Sequence, residues 1–247
     1  MKATAFEFRF RMLFVLTITV LGFWSPWIDL LGIGSRGSLL EWLALQLSRL
    51  GIVSFTVAAP VVIVIGALIA GTGALLRICG TAYLGSDIVK HKNMQAASVM
   101  ANGPYRYLRN PLYLGLWLCC VATAFLMPAT GALVSIILLS IFIYRLTLGE
   151  EAFLTPRLGD SYQAYLRAVP RLIPRLRTTI PSAGIHPRWA QALVYEMYPL
   201  GIFLILACLS WSYNNRLLEQ AVLVAFGLAL IGRALLPQPA SPGSQRE

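Results

Sequence analysis

"PLYLGLWLCCVATAFLMPATGALVSIILLSIFIY", residues 111 to 144, runs for thirty-four positions without a charge. One ordinary membrane crossing takes about 20 residues of helix, so this block is too long for a single span. Pro128 and Gly131 near its middle interrupt the helical pattern. The reading that accommodates both facts is a helical hairpin of two short spans, over 111–147. That hairpin makes the chain a membrane protein and sets the register for everything on either side.

Working outward, four more apolar stretches have spanning character: about Met12 to Leu31, a stretch within Gly51 to Leu76, Tyr198 to Tyr213 and Ala221 to Leu236. The composition agrees, with 57% hydrophobic residues, 12% charged residues and a mean hydropathy of +0.70. A soluble domain carries about 25% charge. The N-terminal "MKATAFEFRFRMLFVLTITVLGFW" has a basic start and an apolar middle but no small-residue cleavage pattern after it, so an uncleaved first span is expected.

Basic residues orient this set. With the N-terminus cytoplasmic, seventeen of the twenty Lys and Arg fall on the inside, including Lys90 and Lys92, and only Arg36, Arg49 and Arg216 fall outside. The positive-inside rule is satisfied. The expected fold is therefore all-α: a polytopic bundle of about six transmembrane helices with both termini cytoplasmic. Residues 1–236 form a single membrane-embedded domain, and the Pro/Ser/Gly-rich 237–247 is expected to be disordered. The net charge of +10 follows from topology and calls for no nucleic acid. Cys79, Cys119, Cys120 and Cys208 all lie in apolar segments, with neither disulfide nor metal-ligand spacing. Outside the membrane, "SLLEWLALQLSRLG" places Ser38 and Glu41 in capping-box spacing ahead of an amphipathic helix along the interface.

Two cytoplasmic clusters hold the polar groups that chemistry would need. "GPYRYLRNPLYLG", Gly103 to Gly115, suits Asn110 to an N-cap and Pro111 to the first helical position. The free amides of that helix start favour an anion. Arg106 and Arg109 add charge, while Tyr105, Tyr107 and Tyr113 offer rings and hydroxyls. An interfacial belt of aromatics and arginines accounts for these residues equally well. In the second cluster, Glu150 and Glu151 stand where the hairpin re-emerges, with Arg145 five residues earlier. Adjacent carboxylates beside apolar helices can bind ribose hydroxyls or a cation. Two adjacent acids are notable in a chain with only ten.

Taken together, "GPYRYLRNPLYLG", then "EE", then "YQAYLRAVPRLIP" resemble the isoprenylcysteine carboxyl methyltransferase and phospholipid methyltransferase superfamily, and "LRICGTAYLG" at 76–85 resembles the stretch before the motif in bacterial members. The resemblance implies an integral membrane enzyme with a methyltransferase-like core over about 52–180. A further helix pair at about 190–236 would then shape the acceptor cavity or form a dimer surface. It also implies S-adenosylmethionine as cofactor at the cytoplasmic face. Arg145, Arg106 and the other cytoplasmic arginines favour a lipophilic acceptor with a lipid carboxyl or phospholipid amine, a small-molecule thiol being chemically open as well. The cysteine usage and basic loops favour a bacterial inner membrane.

Carried over by position, Tyr105, Arg106, Arg109, Asn110, Pro111, Tyr113 and Gly115 would floor the cofactor site. Glu150 and Glu151 would meet the cofactor's polar groups, and Tyr162, Tyr165 and Arg171 would lie in the covering segment. Arg145 and Glu151 are the expected catalytic residues, and no metal is expected. Many members have histidine where this chain has Asn110, and asparagine can carry no proton-transfer role there. Two other classes remain open: an NADPH-dependent membrane reductase of related fold, and a non-enzymatic transporter or scaffold.

Overall fold

The computed structural model describes residues 2–84, 102–178, 180–182, 184–209 and 215–235. Lys90, Lys92 and the expected disordered tail lie outside them. The described residues contain no strand, only an isolated bridge between Ser38 and Pro128. The helices are α1 (Ala5–Arg9), α2 (Arg11–Trp24), α3 (Trp27–Leu31), α4 (Leu39–Arg49), α5 (Phe55–Leu84), a 3-10 turn (Gly103–Arg106), α6 (Pro111–Ala124), α7 (Ala129–Ala168), α8 (Trp189–Tyr195), α9 (Met197–Leu209) and α10 (Asn215–Leu235).

The quoted block is a helical hairpin. Helix α6 ends at Ala124, residues 125–128 turn the chain, and α7 starts immediately after Pro128. The turn is pinned from outside, because Leu39 and Leu40 donate their amides to the carbonyls of Met127 and Phe125 at 2.7 and 3.0 Å. Those are orphan amides at the start of α4 meeting orphan carbonyls near the end of α6. The capping box expected from Ser38 and Glu41 is present in both directions. Helix α4 also buries Leu40 and Ala44 against α5, so it is part of the packed core at this end.

Gly131 has a packing reason. A Cβ there would come 2.0 Å from the carbonyl oxygen of Gly22, so bare backbone lets α2 and α7 cross in contact.

Three expectations change in detail. The first span is not continuous: Ser25, buried and in the left-handed conformation at φ 43°, ends α2 before Pro26 and α3. Helix α7 does not stop near 147 but carries Glu150 and Glu151 inside a regular helix. It breaks only at Gly159 (φ 61°, ψ −142°), beyond Pro156, and resumes to Ala168. The C-terminal pair begins with a bend of 73° between α8 and α9.

Among the described residues, two helices, α5 and α7, are long and apolar enough to cross a membrane, and the bent α8–α9 pair would make a third. Helices α2 and α6, at 14 residues each, are shorter than a full crossing. The centre of the bundle is where α5, α6 and α9 meet, with Ala70, Cys119, Ala122, Leu126, Ile202, Leu206 and Val222 of α10 packed together.

Candidate functional site

The hairpin's second helix and the segment after it fold back onto the chain preceding α6. The end of α7 leaves carbonyls without helical partners, and arginines take them up. Arg109 donates from Nε to the Val169 carbonyl at 2.5 Å and from Nη2 to that of Leu166, while its own amide donates to the Pro170 carbonyl at 2.9 Å. Arg175 donates from Nη1 to Ala168 at 2.8 Å, and its amide reaches the Tyr107 carbonyl at 3.1 Å. Cations at a helix C-terminus are favoured by the helix dipole as well as by these bonds.

Glu151 joins the two clusters. Its Oε1 accepts from Arg109 Nη1 at 3.2 Å and from Arg171 Nε at 3.0 Å, and its Oε2 accepts from Arg171 Nη2 at 2.7 Å. The bidentate Arg171 grip is the strong form of such a bond. The carboxylate in turn raises the Arg171 guanidinium above its ordinary value. Arg171 also reaches the Tyr144 hydroxyl at 3.5 Å.

Asn110 occupies the N-cap position of α6, but its side chain does not cap. Nδ2 donates instead to the Arg171 carbonyl at 3.3 Å, leaving the first α6 amides without a side-chain partner. Pro111 stands at the first helical position, as expected.

Tyr165 and Tyr162, buried with their rings stacked at 6.0 Å, form the inner face of the covering segment. The Tyr165 hydroxyl donates to the Tyr105 carbonyl at 2.9 Å, and Arg106 Nε donates to the Ile180 carbonyl at 2.8 Å. Thus Tyr105, Arg106, Arg109, Asn110, Glu151, Tyr162, Tyr165 and Arg171 share one cluster. Glu150 points to a neighbouring side, where the Tyr113 hydroxyl lies against its carboxylate and Arg11 is the facing cation.

Two candidates are placed elsewhere. Arg145 turns to the N-terminal segment, donating from Nη2 to both oxygens of Glu7 at 2.8 Å, while Ala3 donates its amide to the Arg145 carbonyl at 3.1 Å. Gly115 lies at the crossing of α5 and α6. A Cβ there would meet Arg77 Cγ at 2.6 Å and the Gly73 carbonyl oxygen at 2.8 Å.

The sequence reading missed a buried trio beside this crossing. Arg77 donates from Nε to Glu196 Oε2 at 2.6 Å and from Nη2 to Oε1 at 3.0 Å, and Thr81 Oγ1 donates to Oε1 at 2.7 Å. A signal existed, since Glu196 is the lone acid between Asp160 and Glu219, and a solitary carboxylate among apolar segments needs a buried partner.

One polar group in the cluster is left unmet. The Tyr105 hydroxyl is buried without a hydrogen-bond partner, and burial pushes it well above the ordinary tyrosine range. It stays protonated at neutral pH and can donate.

Comparison with known proteins covers part of this region, from Tyr105 to Glu151 but not Tyr162, Tyr165 or Arg171. The phospholipid methyltransferase family matches residues 53–161. A protein-S-isoprenylcysteine O-methyltransferase of Schizosaccharomyces pombe is 35% identical over 91 residues, which are 36% of this chain and 38% of the yeast protein. No solved structure matches the chain. Over residues 53–161, then, this helical chain is similar to the phospholipid methyltransferase family, and over 91 residues to an isoprenylcysteine methyltransferase.

Proposed function

We propose that the chain transfers a methyl group from S-adenosylmethionine to a lipophilic acceptor at the cytoplasmic face of the membrane. The observation that carries this reading is the closure of the two polar clusters on one another through Glu151, which with Arg109 lies inside the stretch that matches the family. The same reading keeps six crossings with both ends cytoplasmic, supported by the asymmetry of basic residues.

The residues fit such a cofactor by what they leave available. The buried Tyr105 hydroxyl lacks an acceptor, the first turn of α6 offers amides toward a carboxylate, and Glu150 can accept from ribose hydroxyls or an amine. Tyr113 and Tyr105 present aromatic faces suited to a cationic group. The bound cofactor supplies an electrophilic methyl group on a sulfonium.

What the chain itself contributes is alignment and dryness. Arg109 and Arg171, both paired with Glu151, hold the covering segment on the floor and help exclude water, and the trio keeps one net positive charge. Glu151 in this arrangement organises the site. Glu150, with the Tyr113 hydroxyl against it and no arginine among the described residues hydrogen-bonded to it, is the acid left to meet ligand. Arg145, bonded to Glu7, fastens the N-terminal segment beside it.

The test is titration calorimetry of the purified protein with S-adenosylmethionine. It is followed by incubation with the methyl-labelled compound and total membrane lipid, with mass analysis of products. Saturable binding and a labelled lipid support the proposal. Absence of both, with a known family member active alongside, would refute it.

A further inference from the structure

Glu196 sits outside the matched segment, at the break between α8 and α9, with non-helical backbone angles (φ −105°, ψ 26°). It is 3% exposed. Both carboxylate oxygens are taken, by Arg77 from α5 and by Thr81 one turn further on. The remaining guanidinium nitrogen of Arg77, Nη1, donates to the Leu112 carbonyl at 3.2 Å.

Leu112 is in the first turn of α6, between Pro111 and Tyr113. That turn is already held tightly, since a Cβ on Gly115 would strike Arg77 and one on Gly80 would come 2.8 Å from the Leu112 side chain. The chain leading into Glu196 runs along the same end of α5, with the Arg188 amide donating to the Ala82 carbonyl at 2.9 Å and Trp189 set edge-on to Tyr83 at 6.3 Å.

A buried ion pair is a poor source of net stability, because desolvation offsets most of its attraction. What it does confer is a fixed geometry. We propose that Glu196 is a positioning residue for the cofactor site: by orienting Arg77, it fixes the α6 first turn that carries Asn110, Pro111 and Tyr113. The C-terminal helix pair thereby becomes part of the site's support. This inference rests on the proposed cofactor site.

The experiment compares the parent with Glu196→Gln, Arg77→Gln, the double variant and Glu196→Asp. Each is titrated with S-adenosylmethionine by calorimetry and followed by amide hydrogen exchange across residues 110–118. Glu196→Gln should bind about tenfold more weakly, as misplacement of a supporting group does, and its 110–118 amides should exchange faster. The double variant should be no weaker than Arg77→Gln alone, and Glu196→Asp should recover part of the loss.

Parent-like affinity in Glu196→Gln, or additive losses in the double variant, would overturn the inference. If the parent itself binds no S-adenosylmethionine, the proposed function fails. Exchange then decides the positioning role alone, with faster exchange at 110–118 supporting it and parent-like exchange overturning it. Should Glu196→Gln not fold, Thr81→Val removes one bond to the same carboxylate and is read by the same two measurements.

Discussion

Replacing Glu151 with glutamine should cost the fold more than any other single change in the polar cluster. The side chain is 10% exposed, against 15% for Arg109 and 33% for Arg171. Breaking a buried pair by removing one partner costs about 3–5 kcal/mol. The low end applies here, because glutamine keeps one acceptor oxygen and Arg171 is exposed enough to rehydrate. For a chain of this length, about 3 kcal/mol corresponds to a drop of roughly 6–12 °C in melting temperature.

The molecule carries its own reporter, since Cys119 is buried in the central cluster. Thermal unfolding in detergent can therefore be followed by thiol labelling at Cys119, in a background where the other three cysteines are serine. Arg171→Gln should lose somewhat less, and the double variant should lose little beyond Glu151→Gln. A shift below about 2 °C for Glu151→Gln, or additive losses in the pair, would show that the cluster does not hold the covering segment down.

Three further outcomes are expected. Tyr105→Phe removes a buried hydroxyl that has no partner, so its melting temperature should equal or exceed the parent's. Affinity for S-adenosylmethionine should fall about fivefold, the worth of about 1 kcal/mol of hydrogen bond; calorimetry beside a melt reads both. Gly115→Val drives a side chain into the Gly73 carbonyl and Arg77 and should destabilise by about 1–3 kcal/mol, seen as a lower thermal midpoint.

The Glu7 carboxyl is held below its ordinary value of 4.5, first by the Thr4 amide and then by Arg145. Because the folded value is depressed, its contribution is full above about pH 4.5 and is lost as pH falls through the lower folded value. Protection of the Ala3 amide, bonded to the Arg145 carbonyl, should fall over that acid window in the parent, measured as exchange relative to the intrinsic rate at each pH. In Glu7→Gln it should already be low at neutral pH.

Much of the fold was legible because membrane helices announce themselves by length and apolarity. The hairpin followed from Pro128 and Gly131, and the α4 capping box from Ser38 and Glu41. What composition cannot see is where a helix continues past its apolar part. Glu150 and Glu151 look like a loop edge, yet they sit in the middle of α7 because the polar turns after them pack on the chain before α6. Ser25 ended a helix that hydropathy alone would extend.

For the candidate site, the residue types and the pairing of the two clusters were readable. Which carboxylate would be occupied was not, because that depends on the fold-back of Arg171. Glu196 escaped for a related reason: its partner is 119 positions away, and Arg77 already had an explanation as a topological charge.

Helix α5 has thirty residues, about 45 Å at 1.5 Å per residue, against about 30 Å of bilayer hydrocarbon. Its uncharged part, 55–76, is about 33 Å long and matches that thickness by itself. In the topology proposed above, with the uncharged part filling the hydrocarbon, the surplus from Arg77 to Leu84 would stand at the depth of the lipid head groups, and the Arg77-bound start of α6 with it. A lipid whose reactive group is in its head would meet the proposed cofactor at its own resting depth, moving sideways in the plane with its tail still dissolved. In the proposed function, the overhang of one helix would thus set the level at which chemistry and bilayer meet.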